Sequence, residues 1–333
     1  MHATTTKTTS APVPVRLCAL TAMTPLHVGA DGGFGLIDKP VMRERATGYP
    51  LLPGSALKGV VSADFRPEEP PADGSAKRRT PFDYAFGRGA TAGEAGDSAG
   101  SLIFTDAQLM ALPVRSFHGT TAWITTPYLM RRTAAQLKRY AGIVLPAPPN
   151  LSTGKILLGS GTSRLVAPVA ANGGKADIGH VVLEDFDLAV DKPQADVAIW
   201  ADWLAQRFWP ESPDPASSRT PFLERFAVVS ETVFDHLCRY GLEVRARVKI
   251  DQASRTVDGG KLWYEELLPE GSLLLAYVFC ERVFRNGREE PPEPAQLLAA
   301  FCSDERYLQF GGTASVGRGL CRVAFHEPAG AQP

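Results

Sequence analysis

An excess of either charge is missing from this chain, since 35 Lys and Arg residues stand against 36 Asp and Glu residues. The formal net charge of -1 excludes an overall basic coat protein and a long acidic disordered tail. Paired cysteines are also missing. The five cysteines never form a C-x-x-C pattern, so a zinc site and a disulfide framework are both disfavoured: Cys18, Cys238, Cys280, Cys302 and Cys321. Reduced thiols are typical of a cytoplasmic protein.

Long apolar runs are absent as well, and no stretch approaches the ~18 residues that a membrane span needs. The first residues show no charged-then-apolar signal pattern. Their Thr, Ala and Pro content predicts a disordered tail over residues 1–14, and a short tail is predicted over 328–333. The sequence therefore predicts no membrane partner and a cytoplasmic location.

What the chain does have is glycine and proline, 31 and 27 residues respectively, which predict long loops on an ordered body. Loops are predicted at 66–81, 87–100 and 146–175, and a proline-rich connector at 210–221. The length allows two domain-sized units or one domain with large insertions.

Strands and short helices alternate without a fixed repeat, which indicates an α+β fold. Predicted strands are 15–23 (with one apolar face), 102–104, 123–125, 273–279 and 320–325. One short helix is predicted to begin with Ser55 as its N-cap, and three more cover 128–140, 200–208 and 294–301. The helix over 128–140 has one positive face. Alternation of apolar and charged residues over 243–251, a turn at 258–260 and a return strand at 261–265 predict a hairpin.

Two segments could bind phosphate on physical grounds. The segment 310–319 interleaves four glycines with two hydroxyls and Arg318, and glycine lets backbone N–H groups approach a ligand closely. A tight turn before the last strand explains the same residues equally well. Ser55 and Lys58 lie at a predicted helix N-terminus, where free backbone donors and an ammonium favour a phosphodiester. An N-cap serine beside a solvated lysine explains the same two residues, and on these residues alone it is the better explanation. Neither segment carries a dinucleotide or P-loop fingerprint.

Taken together, the motifs resemble the RAMP superfamily of CRISPR proteins, and more closely the repeated backbone subunit of the type III-B (Cmr) effector complex. The matching motifs lie within residues 17–61, 82–133 and 228–325: 37–44, 48–50, 53–59, 113–116, 125–127, 262–266 and the glycine loop 310–319. Ala56 and Ser315 depart from the family pattern conservatively, because a hydroxyl remains at or beside each position.

The resemblance implies a modified RRM/ferredoxin-like palm with loop insertions, formed by a single RAMP domain over 15–327. It also implies a β-hairpin thumb at about 243–266. Such subunits bind crRNA, stack in a helical filament with other type III-B subunits, and cut a complementary target RNA at six-nucleotide intervals in antiviral defence. The expected activity is a metal-dependent endoribonuclease that leaves a 2′,3′-cyclic phosphate.

The resemblance assigns Asp38, and the other candidate site residues follow from residue type and position. Asp38 matches the family's catalytic aspartate, where it would accept a proton or weakly hold Mg²⁺ or another divalent cation shared with RNA phosphate. His27, Glu265 and Glu266 are further catalytic candidates, each with an ordinary structural alternative, and Asp31 is interpreted as a loop residue. The predicted RNA-binding residues are Arg43, Arg45, Ser55, Lys58, Arg131, Arg132, Gly311, Gly312, Ser315, Gly317 and Arg318.

Three other functions stay open. A pure crRNA-binding scaffold would keep the fold without catalysis, although the retained Asp38 argues against it. A single-copy RAMP endonuclease that processes the guide precursor typically relies on a histidine and lacks the Ile-Asp-Lys-Pro and Trp-Tyr-Glu-Glu strings. An unrelated metabolic enzyme has no supporting nucleotide fingerprint, triad or zinc signature.

Overall fold

The structure is a computed structural model, and it describes residues 13–30, 35–67, 80–88, 98–167, 179–209, 215–251, 254–284 and 290–328. Most of both predicted tails, and Asp31, lie outside this set. Within it, no helix is both long and apolar enough to cross a bilayer.

Sixteen strands and seven α-helices are formed by the described residues. The strands are β1 Val15–Ala22, β2 Leu51–Leu52, β3 Gly87–Arg88, β4 Ser98–Ala99, β5 Ile103–Phe104, β6 Ala107–Ser116, β7 Thr120–Thr125, β8 Lys155–Leu158, β9 His180–Leu183, β10 Phe186–Val190, β11 Phe226–Val229, β12 Glu243–Ile250, β13 Val257–Leu267, β14 Leu273–Phe279, β15 Arg306–Gln309 and β16 Leu320–His326. The helices are α1 Gly54–Asp64, α2 Pro81–Phe86, α3 Pro127–Gln136, α4 Ala195–Phe208, α5 Pro215–Leu223, α6 Glu231–Tyr240 and α7 Pro294–Phe301.

The core of the fold is an antiparallel sheet in the order β16–β1–β14–β6, with α1 between its first and second strands in the chain and α7 between its third and fourth. This is the β-α-β-β-α-β arrangement of ferredoxin-like domains. The α+β class is therefore confirmed. The chain between β6 and β14 is a long insertion that extends the sheet through β7, β11, β8, β10 and β9.

Both faces of this sheet are covered, which the predicted one-faced pattern of β1 did not anticipate. Cys18 and Leu20 of β1 pack in one core with α1, α6 and α7, whereas Leu17 and Ala19 pack in a second core with α3, α4 and α5. Every residue of β1 is buried because helices lie on each side of the sheet.

Three of the predicted loops contain regular structure, and in 87–100 it is the short strand pair β3 and β4. Residues 146–175 include β8, whose Ile156 and Leu157 are fully buried between β10 and β11. The connector 210–221 overlaps α5, which Phe222 anchors in the second core. In the last two loops a short apolar run supplies the burial energy, and the surrounding Pro and Gly residues conceal it in the sequence.

The hairpin of β12 and β13 forms a separate two-stranded sheet, as the predicted thumb requires. The strands of the hairpin end at Ile250 and begin again at Val257, so the predicted turn residues 258–260 belong to β13. Between the strands, the Asp251 carboxylate accepts the Ser254 N–H at 2.8 Å, and the Asp251 N–H donates to the Thr256 carbonyl at 2.9 Å.

Opposite faces of the hairpin differ in character. One face carries apolar side chains that are 40–58% exposed: Val244, Val248, Ile250, Leu262 and Tyr264. Residues that pair directly across the strands share a face, so Arg245 lies with Glu265 and Arg247 with Trp263 on the other. The apolar alternation that predicted the hairpin therefore marks an exposed surface and not a core strand.

Candidate active site at the base of the hairpin

The segment around Lys39 docks on the base of the hairpin as a short third strand. Lys39 bridges Glu265 in parallel pairing. The Lys39 N–H donates to the Tyr264 carbonyl at 3.0 Å, and the Glu266 N–H donates to the Lys39 carbonyl at 2.9 Å. The loop that carries Asp38 is thereby joined to β13.

Asp38 is exposed at this junction. Its Oδ2 accepts the Tyr264 N–H at 2.8 Å, while its Oδ1 accepts no hydrogen bond from the described residues. One carboxylate oxygen is thus fixed and the other is available to a ligand. The described residues contain no group of three or more His, Cys, Asp or Glu side chains that could hold a metal ion. A lone carboxylate fits only a weak, largely hydrated Mg²⁺.

His27 lies beneath the surface of the same junction, 7% exposed. Its Nδ1 is 2.8 Å from the Glu266 carbonyl oxygen, which can only accept, so Nδ1 carries the proton and Nε2 is left as the acceptor in the neutral ring. Gly29 leaves space beside the His27 Nε2, since a Cβ added to Gly29 would lie 3.0 Å from that nitrogen. The structure brings His27 and the Asp38 loop into contact with one residue, Glu266.

Glu266 is fully buried and its carboxylate is occupied by this chain. Oε1 accepts from Arg43 at 2.6 Å and Oε2 from the Val41 N–H at 3.0 Å. Arg43 also donates to the Gly48 carbonyl at 2.8 Å. These contacts favour a positioning role for Glu266 and Arg43. The catalytic role of Glu266 and the RNA contact of Arg43 stay predictions.

Glu265 is 1% exposed and lies among cations. Burial alone would raise the pKa of this carboxyl, but hydrogen bonds from Trp263 and Lys39 and the nearby charges of Arg247 and Lys39 lower the pKa below its ordinary value. Glu265 is therefore an ionised counter-ion inside the protein. Its predicted catalytic role is not tested.

The glycine loop 310–319 packs against the His27 segment. The Gly312 N–H points to the His27 carbonyl at 3.3 Å, and the Gly319 N–H donates to the Pro25 carbonyl at 3.0 Å. Gly312, Ser315 and Gly317 are exposed, as a phosphate-binding loop requires, whereas Arg318 is 6% exposed and faces Glu265.

Gly311 is one of two positions in this loop that tolerate no side chain, and Gly319 is the other. The φ of Gly311 is +72°, and an added Cβ would overlap with the His27 carbonyl oxygen. We expect Gly311→Ala to lower the free energy of unfolding by more than the ~1–2 kcal/mol that a left-handed backbone alone costs. Gly312→Ala is the matched control, because nothing lies within 4 Å of its Cβ and its φ is not positive. Denaturant unfolding measures both, and equal losses would contradict the close approach.

The predicted phosphate cradle at α1 is arranged differently from the expectation. Pro53 occupies the N-cap position, Ser55 is exposed within the first turn, and no side chain of the cap residue bonds the helix. The prediction of Ser55 as N-cap is wrong, because Asp106 accepts the Gly54 N–H at 2.8 Å instead. Lys58 donates to the Leu102 carbonyl at 3.1 Å, and partial burial lowers the pKa of its ammonium.

The remaining predicted basic residues divide by exposure. Arg45 and Arg131 are exposed. Arg132 donates to Glu44 at 2.7 Å and lies over the Tyr128 ring. Their contacts with RNA stay predictions.

Sequence reasoning missed three members of the junction: Lys39, Trp263 and Tyr264. All three lie within segments that match the family motifs, 37–44 and 262–266. What the sequence could not supply was the pairing between segments more than 200 positions apart.

The strand order, the hairpin and the glycine loop define a ferredoxin-like domain with a charged junction at one end of its sheet. The model of the RAMP superfamily matches residues 19–322. The chain belongs to the RAMP superfamily.

Two relatives extend over almost the whole chain. The CRISPR system Cmr endoribonuclease Cmr4 of Pyrococcus furiosus is 26% identical over 313 residues, which cover 93% of this chain and 95% of that protein. The CRISPR system CMR subunit Cmr4 of Saccharolobus solfataricus is 25% identical, covering 91% and 93% respectively.

Solved structures agree in fold. The structure of oligomeric Cmr4 from Pyrococcus furiosus aligns with a TM-score of 0.63 at 20% identity, covering 95% of this chain and 98% of that one. A chain of the type III-B Cmr-beta complex bound to cognate target RNA also gives 0.63, at 18% identity, covering 94% and 98%. The expected RRM/ferredoxin-like palm is confirmed.

Proposed function

We propose that this chain is a backbone subunit of a type III-B CRISPR effector complex that binds crRNA and cleaves complementary target RNA. The observation that carries the proposal is Asp38, exposed at the base of the hairpin with one carboxylate oxygen fixed by Tyr264 and the other free. The names of the two Cmr4 relatives support this function.

RNA binding requires positive charge to be concentrated, because the whole chain carries a net charge of -1. Three candidate surfaces are the exposed Arg45 and Arg131, the basic face of the hairpin, which carries Arg245, Arg247 and Lys249, and the exposed backbone of the glycine loop. These contacts neutralise phosphates without reading bases, which suits a subunit that accepts any guide sequence.

Cleavage beside the hairpin follows from the geometry of RNA. A nucleotide displaced by the hairpin leaves the stack, so its 2′-hydroxyl can align with the phosphorus and the departing 5′-oxygen. Asp38 Oδ1 accepts the 2′-hydroxyl proton as the new oxygen–phosphorus bond forms, and the 5′-oxygen leaves with a proton from water. The products are a 2′,3′-cyclic phosphate and a 5′-hydroxyl.

Asp38 also fits a divalent cation, weakly and together with an RNA phosphate. When bound, Mg²⁺ would offset negative charge at the scissile phosphate. The protein contributes a single free carboxylate oxygen, so we infer that the cation is held chiefly when RNA is present.

The apolar face of the hairpin supports self-association. An exposed face built from Val248, Leu262 and Tyr264 is costly for an isolated chain, and a neighbouring copy in a filament would cover it. The opposite, basic face is then left for RNA. Five free, buried cysteines support a reducing location such as the cytoplasm.

The test is a cleavage map of a reconstituted complex. We expect guide-loaded complex with Mg²⁺ to cut end-labelled complementary RNA into a ladder at six-nucleotide spacing with cyclic-phosphate ends. EDTA and a non-complementary RNA are the controls, and both should abolish the ladder. Tight target binding without a ladder would instead identify a non-catalytic scaffold.

A further inference from the structure

Three cations from three separate segments converge on the carboxylate of Glu265. Lys39 Nζ lies 3.4 Å from Oε1, Arg247 Nε 3.6 Å from Oε2 and Arg318 NH1 4.0 Å from Oε2. Lys39 follows Asp38, Arg247 belongs to the hairpin, and Arg318 belongs to the glycine loop. The cluster carries a net charge of two positive units, one carboxylate against three cations.

The carboxylate does not satisfy these donors. The distances from Oε2 exceed the ~3.2 Å limit of an N–H···O hydrogen bond. Glu265 Oε2 and Arg318 NH1 are both excluded from solvent and make no hydrogen bond. Only Oε1 is well bonded, by Trp263 Nε1 at 2.8 Å. Buried guanidinium donors without partners are unfavourable, so the cluster has capacity for another acceptor.

Exposure within the cluster is graded. The side chain of Arg318 is 7% exposed, that of Arg247 29% and that of Lys39 51%. A ligand therefore meets Lys39 and Arg247 at the rim, with Arg318 as the floor. The ligand that matches this arrangement is a phosphate oxygen, because an ammonium and a guanidinium at an open rim recognise phosphodiesters.

We propose that Lys39, Arg247 and Arg318 form a phosphate site in which Glu265 is the internal counter-ion. The proposal rests on the proposed function, and it assigns Glu265 to restraining RNA affinity and not to catalysis. In free protein the carboxylate holds the three cations in place. In the RNA complex a phosphate adjacent to Asp38 binds at the rim and competes with the carboxylate for the same positive charge.

Removing this carboxylate should strengthen RNA binding, the opposite of what loss of a catalytic or structural residue produces. Each additional phosphate contact adds about 0.7 to the magnitude of the slope of log affinity against log salt. If the variant and the original chain bind equally at about 1 M salt, one additional phosphate contact makes the variant bind roughly fivefold more tightly at about 0.1 M. We expect Glu265→Gln to show both changes with a single-stranded RNA of mixed sequence, measured by fluorescence anisotropy in EDTA so that no cleavage occurs.

Controls separate the site from general charge and from misfolding. Glu305→Gln removes the same charge beside Arg322, elsewhere on the protein, and should leave the affinity and slope near the values of the original chain. Glu265→Gln combined with Arg318→Gln restores the net charge of the cluster and should cancel the gain. Circular dichroism melting confirms that each variant is folded, and Glu265→Asp, which keeps the charge, should show no gain in affinity.

Unchanged or weaker binding by folded Glu265→Gln would overturn the proposal and leave the proposed function intact. An equal gain in Glu305→Gln would also overturn it, because the effect would then be one of total charge. If neither the original chain nor any variant binds RNA, the proposed function itself fails.

Discussion

Asp38→Ala is expected to remove target cleavage while leaving the RNA-bound complex assembled. A positioned general base contributes roughly a hundredfold to ten-thousandfold to a rate, so we expect single-turnover cleavage to fall at least about hundredfold. Affinity for guide and target should not fall, because Asp38→Ala removes a negative charge and no group that attracts phosphate. Cleavage maps and filter binding on the same preparations measure the two quantities.

Asp38→Asn sharpens this experiment, since it removes the charge and keeps the acceptor that Tyr264 N–H uses. Asp185→Ala is the matched control, as Asp185 is an exposed acid in the turn between β9 and β10. Loss of assembly in Asp38→Ala, with assembly kept in Asp38→Asn, would make the aspartate a structural anchor. A full ladder in both variants would place the chemistry elsewhere.

Arg43→Ala is expected to cause the second large effect, a loss of about 3–5 kcal/mol in the free energy of unfolding. The guanidinium bonds Glu266 at 2.6 Å, with side chains 15% and 1% exposed respectively. Truncation would leave a buried carboxylate with the Val41 N–H and without its cation. The midpoint and slope of a urea transition give the change.

Arg164→Ala provides the comparison, because Arg164 bonds Glu224 at a similar 2.7 Å but is 63% exposed. Solvent screening limits such a pair to about 1 kcal/mol or less. If the two arginine variants unfold at the same urea concentration, burial of the Arg43–Glu266 pair does not govern its strength.

The elements that sequence patterns identified are those with a local signature. The apolar run of β14 and the Trp–Leu–Phe spacing of α4 are confirmed. β8 and α5 were missed because two or three large apolar residues among Pro, Gly and Ser do not distinguish a strand or a helix from a loop. Their burial depends on neighbours that come much later or earlier in the chain.

The candidate site shows the same division. The motif resemblance predicted Asp38 and the family, but the burial of Arg318 could not be predicted from its residue type. In the fold Arg318 lies behind Glu265, 6% exposed. Exposure of a basic residue is set by tertiary packing, and the residue type alone does not determine it.

The docking of Lys39 on β13 has a consequence for how cut positions are chosen. Backbone bonds at 3.0 and 2.9 Å tie the aspartate loop to the hairpin, so the two move as one body. In the proposed filament the hairpin then both sets the spacing along the RNA and positions the catalytic aspartate. The distance between successive cuts would then equal the distance between successive hairpins in the filament. A longer guide would add cuts without changing their spacing.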